Sequence, residues 1–164
     1  LVIIGKDEFY RELNGSLRAM LAGEGDWLAG LANASALLYL AMEGINWAGF
    51  YLLKGDELVL GPFQGKPACV RIEVGRGVCG AAAKERRTVV VEDVRRFPGH
   101  IACDSNSRSE IVVPLRLGDR LLGVLDIDSP STGRFDQEDA RGLESFVGCL
   151  QESLHWPRPR RDVP

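Results

Sequence analysis

The sequence has no apolar run close to the roughly 20 residues that a helix needs to cross a bilayer, which argues against a helical membrane protein. It has no basic surplus either: 20 Lys and Arg are set against 23 Asp and Glu. Without a basic stripe, nucleic acid is not expected as the main partner, though a charged small-molecule pocket stays open. The opening stretch LVIIGKDEFY turns charged after four apolar residues and lacks a basic lead, so it does not read as a secretory signal. The expected location is the cytoplasm, where the four cysteines rest reduced and a structural disulfide framework is not expected. There is no C-x-x-C pair of the kind that structural zinc sites show. There is no G-x-x-x-x-G-K-[ST], and no G-x-G-x-x-G in a parallel βαβ setting. GRGVCG resembles a phosphate cradle only loosely, and its glycines are read as bend formers. No internal repeat or low-complexity block is visible.

What is present fits one domain. At 164 residues the chain can bury roughly 70% of its unfolded surface. Its 45% apolar and 26% charged content is ordinary for a globular protein. Phe9, Leu13, Leu17 and Met20 or Leu21 recur at helical spacing. Asp26 is a candidate N-cap for a second helix from Trp27 to about Met42, with Gly44 as a stop. NWAGFYLL, the turn KGDE and ELVLGPF read as a hairpin. CVRIEV alternates, with Cys69, Arg71 and Glu73 on one face and Val70, Ile72 and Val74 on the other. GRGVCGAAAKERR bends and becomes a short helix, and TVVVEDV is a further strand. A loop, RRFPGHIACDSNSRS, leads to a second hairpin, EIVVPLRL and RLLGVLDID, turned by GD. The last helix runs from about Asp136 to Leu154, with Leu143, Phe146, Val147, Leu150 and Leu154 as its apolar stripe. Hairpins at both ends of the strand set predict an α+β fold: a central antiparallel sheet with N- and C-terminal helices packed on it. The domain is expected over 1–155. The proline-broken tail 156–164 is expected to be flexible or weakly docked.

The loop from Arg95 to Ser109 is long for a compact domain and is held between two strong strands, which is how a reactive group is placed over a rigid sheet. Cys103 lies in it, among polar neighbours that disfavour burial. A nearby cation, Arg108 or His100, would lower its thiol pKa and make it a nucleophile. Cys79, at the mouth of the short helix, is a rival, because a helix N-terminus favours the thiolate. With Cys69 close by in sequence, a cycle of attack and resolution by disulfide is open. So is a zinc site from Cys69, Cys79, Cys103 and His100, although the spacing disfavours it. Cys149, off the apolar stripe, is read as structural or incidental, and His155, with no chemical company, as incidental. Asp126 and Asp128 lie two apart on a strand and face one side. They repel unless a cation lies between them, either a substrate ammonium group or a divalent metal; the alternative is an ordinary solvated strand end. Glu110, at the start of a strand, is a candidate proton donor if burial raises its pKa.

The runs GPFQGKPACVRIEVGRGVCG, FPGHIACDSNSRSEIVVPL and GVLDIDSP resemble the free methionine-(R)-sulfoxide reductase family, whose members are single GAF domains. The resemblance covers about Asn14 to Leu154. It implies a GAF fold, with Cys103 as the attacking cysteine, Cys69 as its disulfide partner and Cys79 as a third cysteine of variable role. Glu110, Asp126 and Asp128 match the carboxylates of the substrate pocket, and Trp47 and Tyr51 match its aromatic residues. The implied reaction reduces free L-methionine-(R)-S-oxide through a sulfenic acid and an intramolecular disulfide, with a thioredoxin-like thiol donor closing the cycle. No metal or organic cofactor is required. A homodimer formed through the first and last helices is also expected. The alternatives are a non-enzymatic GAF module that binds a small ligand, or a redox sensor built on the same cysteines.

Overall fold

The computed structural model describes residues 5–158, so most of the proline- and arginine-rich tail lies outside the described residues. Helix α1 (Lys6–Leu21) and helix α2 (Trp27–Ala41) come first. Strands β1 (Trp47–Lys54), β2 (Glu57–Gly65) and β3 (Arg71–Glu73) follow, then helix α3 (Gly77–Glu85) and strand β4 (Val89–Val91). After one 3-10 turn at Val94–Arg96 come β5 (Ser109–Leu117), β6 (Arg120–Ser129) and helix α4 (Gln137–Ser153). The strands form one antiparallel sheet in the order β3-β2-β1-β6-β5-β4. The expected α+β arrangement is therefore found, with both hairpins in place.

Local chemistry sets the helix ends. Asp26 caps α2 as expected, accepting from the Ala29 N–H at 2.8 Å. Asp136 and Asp139 form a reciprocal capping box at the start of α4. The buried stripe of α1 is Tyr10, Leu13, Leu17 and Leu21, so Phe9 and Met20 fall at its edges and Met20 is exposed. The alternation expected from Cys69 begins only at Arg71, and Val70 is 61% exposed. The chain ahead of β3 is held instead by the Tyr51 hydroxyl, which donates to the Cys69 carbonyl at 2.9 Å.

Side-chain alternation divides the sheet between two cores. Ala48, Phe50, Ile111, Val113, Leu115, Leu125 and Ile127 face α1, α2 and α4. Trp47, Tyr51, Val112 and Val124 face the other way, toward α3 and the long loop. Cys149, expected to be off the stripe, is 3% exposed and belongs to the helix-side core. Its small apolar side chain fills space there.

Helices α1 and α4 are locked together by a buried charge. Asp139 is 1% exposed. It accepts from the Tyr10 hydroxyl at 2.7 Å and from Lys6 Nζ at 2.6 Å, and Arg134 lies 3.6 Å away. Beside this contact the Tyr10 ring lies directly against Gly142 of α4, where a Cβ would fall within the ring's carbon atoms. Helix propensity alone favours alanine over glycine by roughly 1 kcal/mol at a helix interior. Here the packing reverses that sign. We expect Gly142→Ala to lower the urea midpoint by the equivalent of about 1–3 kcal/mol, the usual cost of overpacking. A midpoint unchanged or raised in equilibrium unfolding contradicts this packing account.

Candidate active site

The pairing register builds the site. Trp47 of β1, Asp128 of β6 and Glu110 of β5 lie side by side across three strands. Gly49, Asp126 and Val112 form the next row on the same face. Glu110 and Asp128 are thus direct cross-strand neighbours, and Asp126 is diagonal to Glu110. Gly49 leaves this face open where a side chain would meet the Trp47 ring at 2.8 Å. The face forms the floor of a narrow cleft with a cavity volume of about 40 Å³, open to solvent at its mouth. Tyr51, Cys79, His100, Ile101 and Cys103 also line it. Of the residues that the sequence singled out for the site, Arg108 does not line this cleft and Cys69 joins it through Cys103, while the others border it.

Burial dominates the electrostatics. Glu110 and Asp126 are each 6% exposed. Burial, then the neighbouring Asp126 and Asp128, push the Glu110 carboxyl well above its ordinary range. Burial lifts Asp126 to about 6. Burial, then Asp126 and Asp104, push Asp128 well up. The Asp126 Oδ1 atom is buried without a hydrogen-bond partner. The three groups are poised to hold protons or to receive a cationic donor.

Cys79 departs from expectation. It sits in the first turn of α3, where the helix end favours a thiolate. However, burial and then Asp126, Glu110 and Asp128 push its thiol well above its usual range. Its Sγ donates to Glu110 Oε1 at 3.8 Å. Desolvation beside three carboxyls outweighs the half-charge of one helix end, and Cys79 is a neutral thiol here.

Cys69 and Cys103 are joined as a disulfide, with Cα atoms 5.5 Å apart. In this state neither can ligate zinc together with Cys79 and His100, so that four-ligand site is not formed. The cation expected beside Cys103 is also not supplied by His100. Its Nε2 lies 3.9 Å from Glu110 Oε2, but burial lowers its pKa and favours the neutral ring. The Arg108 guanidinium donates to the carbonyls of Ser105 and Ser107. Two aromatic residues hold the other partner of the disulfide. Trp47 Nε1 donates to the Lys66 carbonyl at 3.1 Å, and the Tyr51 hydroxyl takes the Cys69 carbonyl. They therefore position the segment that carries Cys69 as well as lining the cleft.

Among candidate ligand groups, Cys79, Glu110 and Asp126 offer atoms that all lie within 4.8 Å of one another. His155 has a structural place: its N–H donates to the Gly25 carbonyl at 2.8 Å.

Comparison with known proteins agrees with this arrangement. The model of the GAF domain matches residues 27–148. The free methionine-R-sulfoxide reductase of Escherichia coli strain K12 is 57% identical, the match covering 92% of each chain. That of Saccharomyces cerevisiae is 43% identical over 92% of this chain and 88% of its own. The chain belongs to the free methionine-R-sulfoxide reductase family. The Neisseria meningitidis reductase, solved in complex with its substrate, superposes with a TM-score of 0.88 at 48% identity, over 93% of this chain and 92% of that one.

The loop anchor of this family member was missed in the sequence. Asn46 Nδ2 donates to Asp104 Oδ2 and to Ser107 Oγ, each at 3.3 Å, and Lys66 lies 4.0 Å from Asp104. Asn46 stands directly before Trp47 and Lys66 shortly before Cys69, but nothing in their local spacing points to a loop far along the chain.

The buried carboxyls carry a stability cost with a definite pH sign. An acid whose folded pKa is raised binds more protons folded than unfolded, so stability falls as pH rises between the two values. For Asp126 the window runs from its ordinary 3.8 to about 6. We expect Asp126→Asn to melt at a higher temperature than the parent, by a gap that opens across this window and is constant above it. A variant less stable than the parent at pH 8 contradicts the assignment.

Proposed function

We propose that this chain reduces free L-methionine-(R)-S-oxide to methionine. The observation that carries the reading is one cleft lined by a disulfide-forming cysteine pair, the buried Glu110 and Asp126 carboxyls and the half-buried Asp128. The substrate's ammonium group supplies the cation that Asp126 and Asp128 lack. A peptide-bound methionine sulfoxide has no such group, which accounts for a preference for the free amino acid. Trp47 and Tyr51 offer an apolar wall for the S-methyl group.

In the proposed cycle, the Cys103 thiolate attacks the sulfoxide sulfur. Glu110, held protonated by its burial, donates a proton to the oxygen. The S–O bond breaks as oxygen passes to Cys103, leaving a sulfenic acid, and methionine departs with its sulfur reduced. The Cys69 thiol then displaces water from the sulfenic acid and forms the disulfide. A dithiol donor of the thioredoxin class reduces it by thiol–disulfide exchange and is itself oxidised. Cys79 lies against Glu110 and is assigned to positioning that carboxyl through the hydrogen bond it donates, because a neutral buried thiol is a poor nucleophile.

A homodimer in the cytoplasm is part of this reading. The expected pairing surfaces were the first and last helices, but these pack on each other. Among the described residues, Leu28, Tyr39 and Leu40 of α2 are the exposed large apolar side chains of the helix layer, together with Met20 of α1. Pairing is therefore assigned to α2.

The test is turnover with a thioredoxin recycling system. Wild type should reduce the R epimer and leave the S epimer unchanged. Cys103→Ser should yield no methionine even in a single turnover. Cys69→Ser should release about one equivalent of methionine and then stop, as a resolving cysteine requires. If Cys79→Ser is instead the variant without a single turnover, the nucleophile is misassigned. Absence of turnover by the wild type contradicts the reductase reading.

A further inference from the structure

The grouping of Cys79, Glu110 and Asp126 is built like part of a metal site. Their ligand atoms lie within 4.8 Å of one another, and all three residues are buried. The Cys79 Sγ to Glu110 Oε1 separation is 3.8 Å. Zinc bonds of about 2.3 Å to sulfur and 2.0 Å to oxygen at a tetrahedral angle place those two atoms about 3.5 Å apart, so little movement is needed. A second observation points the same way: Asp126, 6% exposed, carries a buried Oδ1 atom with no partner. The cleft mouth gives a path of entry.

We propose that the disulfide form of this protein binds one soft divalent cation of the zinc class through Cys79 Sγ, Glu110 and Asp126, and that this cation and the ammonium group of the substrate exclude one another. Three protein ligands leave the fourth tetrahedral position open toward the cleft. A thiolate with two carboxylates suits zinc or cobalt. Magnesium and calcium call for six or more oxygen ligands, which this trio does not offer. The cation replaces the Cys79 thiol proton, so binding releases protons and weakens as pH falls. The Cys69–Cys103 disulfide removes both other cleft cysteines from competition. The ion therefore acts as an inhibitor that holds the oxidised enzyme empty of substrate. The exclusion rests on the substrate reading above, whereas the metal site itself does not.

Cobalt(II) is the probe, because a cysteine ligand gives a near-ultraviolet thiolate-to-cobalt charge-transfer band. The disulfide form is titrated without added thiol. One equivalent should produce the band in wild type and in Cys149→Ser, which lacks the remaining thiol in the helix-side core. Cys79→Ser should lose the band. Glu110→Gln should bind at least about tenfold more weakly, as expected when a ligand set is disturbed. Free methionine sulfoxide should bleach the band in proportion to its occupancy. No band in wild type, or a band that survives Cys79→Ser, overturns the site. Sulfoxide binding that leaves the cobalt spectrum unchanged overturns the exclusion. Turnover by the reduced, metal-free enzyme is scored separately, and its failure would remove the substrate reading without altering the cobalt titration.

Discussion

Glu110, Asp126 and Asp128 share one sheet face, and among the described residues only the His100 imidazole lies within ion-pair range of any of them. Burial keeps that imidazole neutral. A folded chain does not gather buried carboxyls in this way without cost, because each ionised form is driven out of a medium that solvates it poorly. The sheet register imposes the arrangement, and the proton count or a bound cation must resolve it. Every other feature of the cleft depends on that tension. Cys79 stays a neutral thiol, and in the proposed cycle Glu110 retains a proton to give and an incoming ammonium group finds partners already desolvated.

The other face of the sheet makes this sustainable. There the alternate residues of the same strands pack against three helices, and Asp139 ties α1 to α4 through Tyr10, Lys6 and Arg134. The strained chemistry is thus held on the back of a conventional apolar core. The loop that bears Cys103 is both packed and tethered, with Phe97 and Ile101 set against the cleft-side core. Asn46, Lys66 and the disulfide hold it, and the first two bonds are side-chain contacts that can be remade. Trp47 and Tyr51 couple the two regions. Their rings line the cleft while their polar tips grip the backbone ahead of Cys69.

Much of this was legible in the sequence, for physical reasons. Period-two alternation in VLDIDS put Asp126 and Asp128 on one face, and the same rule gave the two hairpins. Asp26 announced α2 through its cap. What could not be read was anything set by distant neighbours. Helix position favoured a Cys79 thiolate, but three carboxyls from two other strands reverse it. The strand pattern at Cys69 and Val70 is cut short by the Tyr51 hydroxyl and the disulfide. Cys149, read as structural or incidental, was placed off the stripe of α4 because that stripe is wider than its strongest residues. The Asn46 anchor joins positions 58 and 61 residues apart, with no local signal.

The central claim is that the buried carboxyls recognise a free ammonium group. It is tested most directly by calorimetric titration of Cys103→Ser, which binds without turning over, with L-methionine-(R)-sulfoxide and with its N-acetyl derivative. The account predicts measurable binding of the free amino acid and a loss of about 30-fold or more on acetylation, as when one member of a buried charge pair is removed. Equal affinity for the two ligands would contradict it.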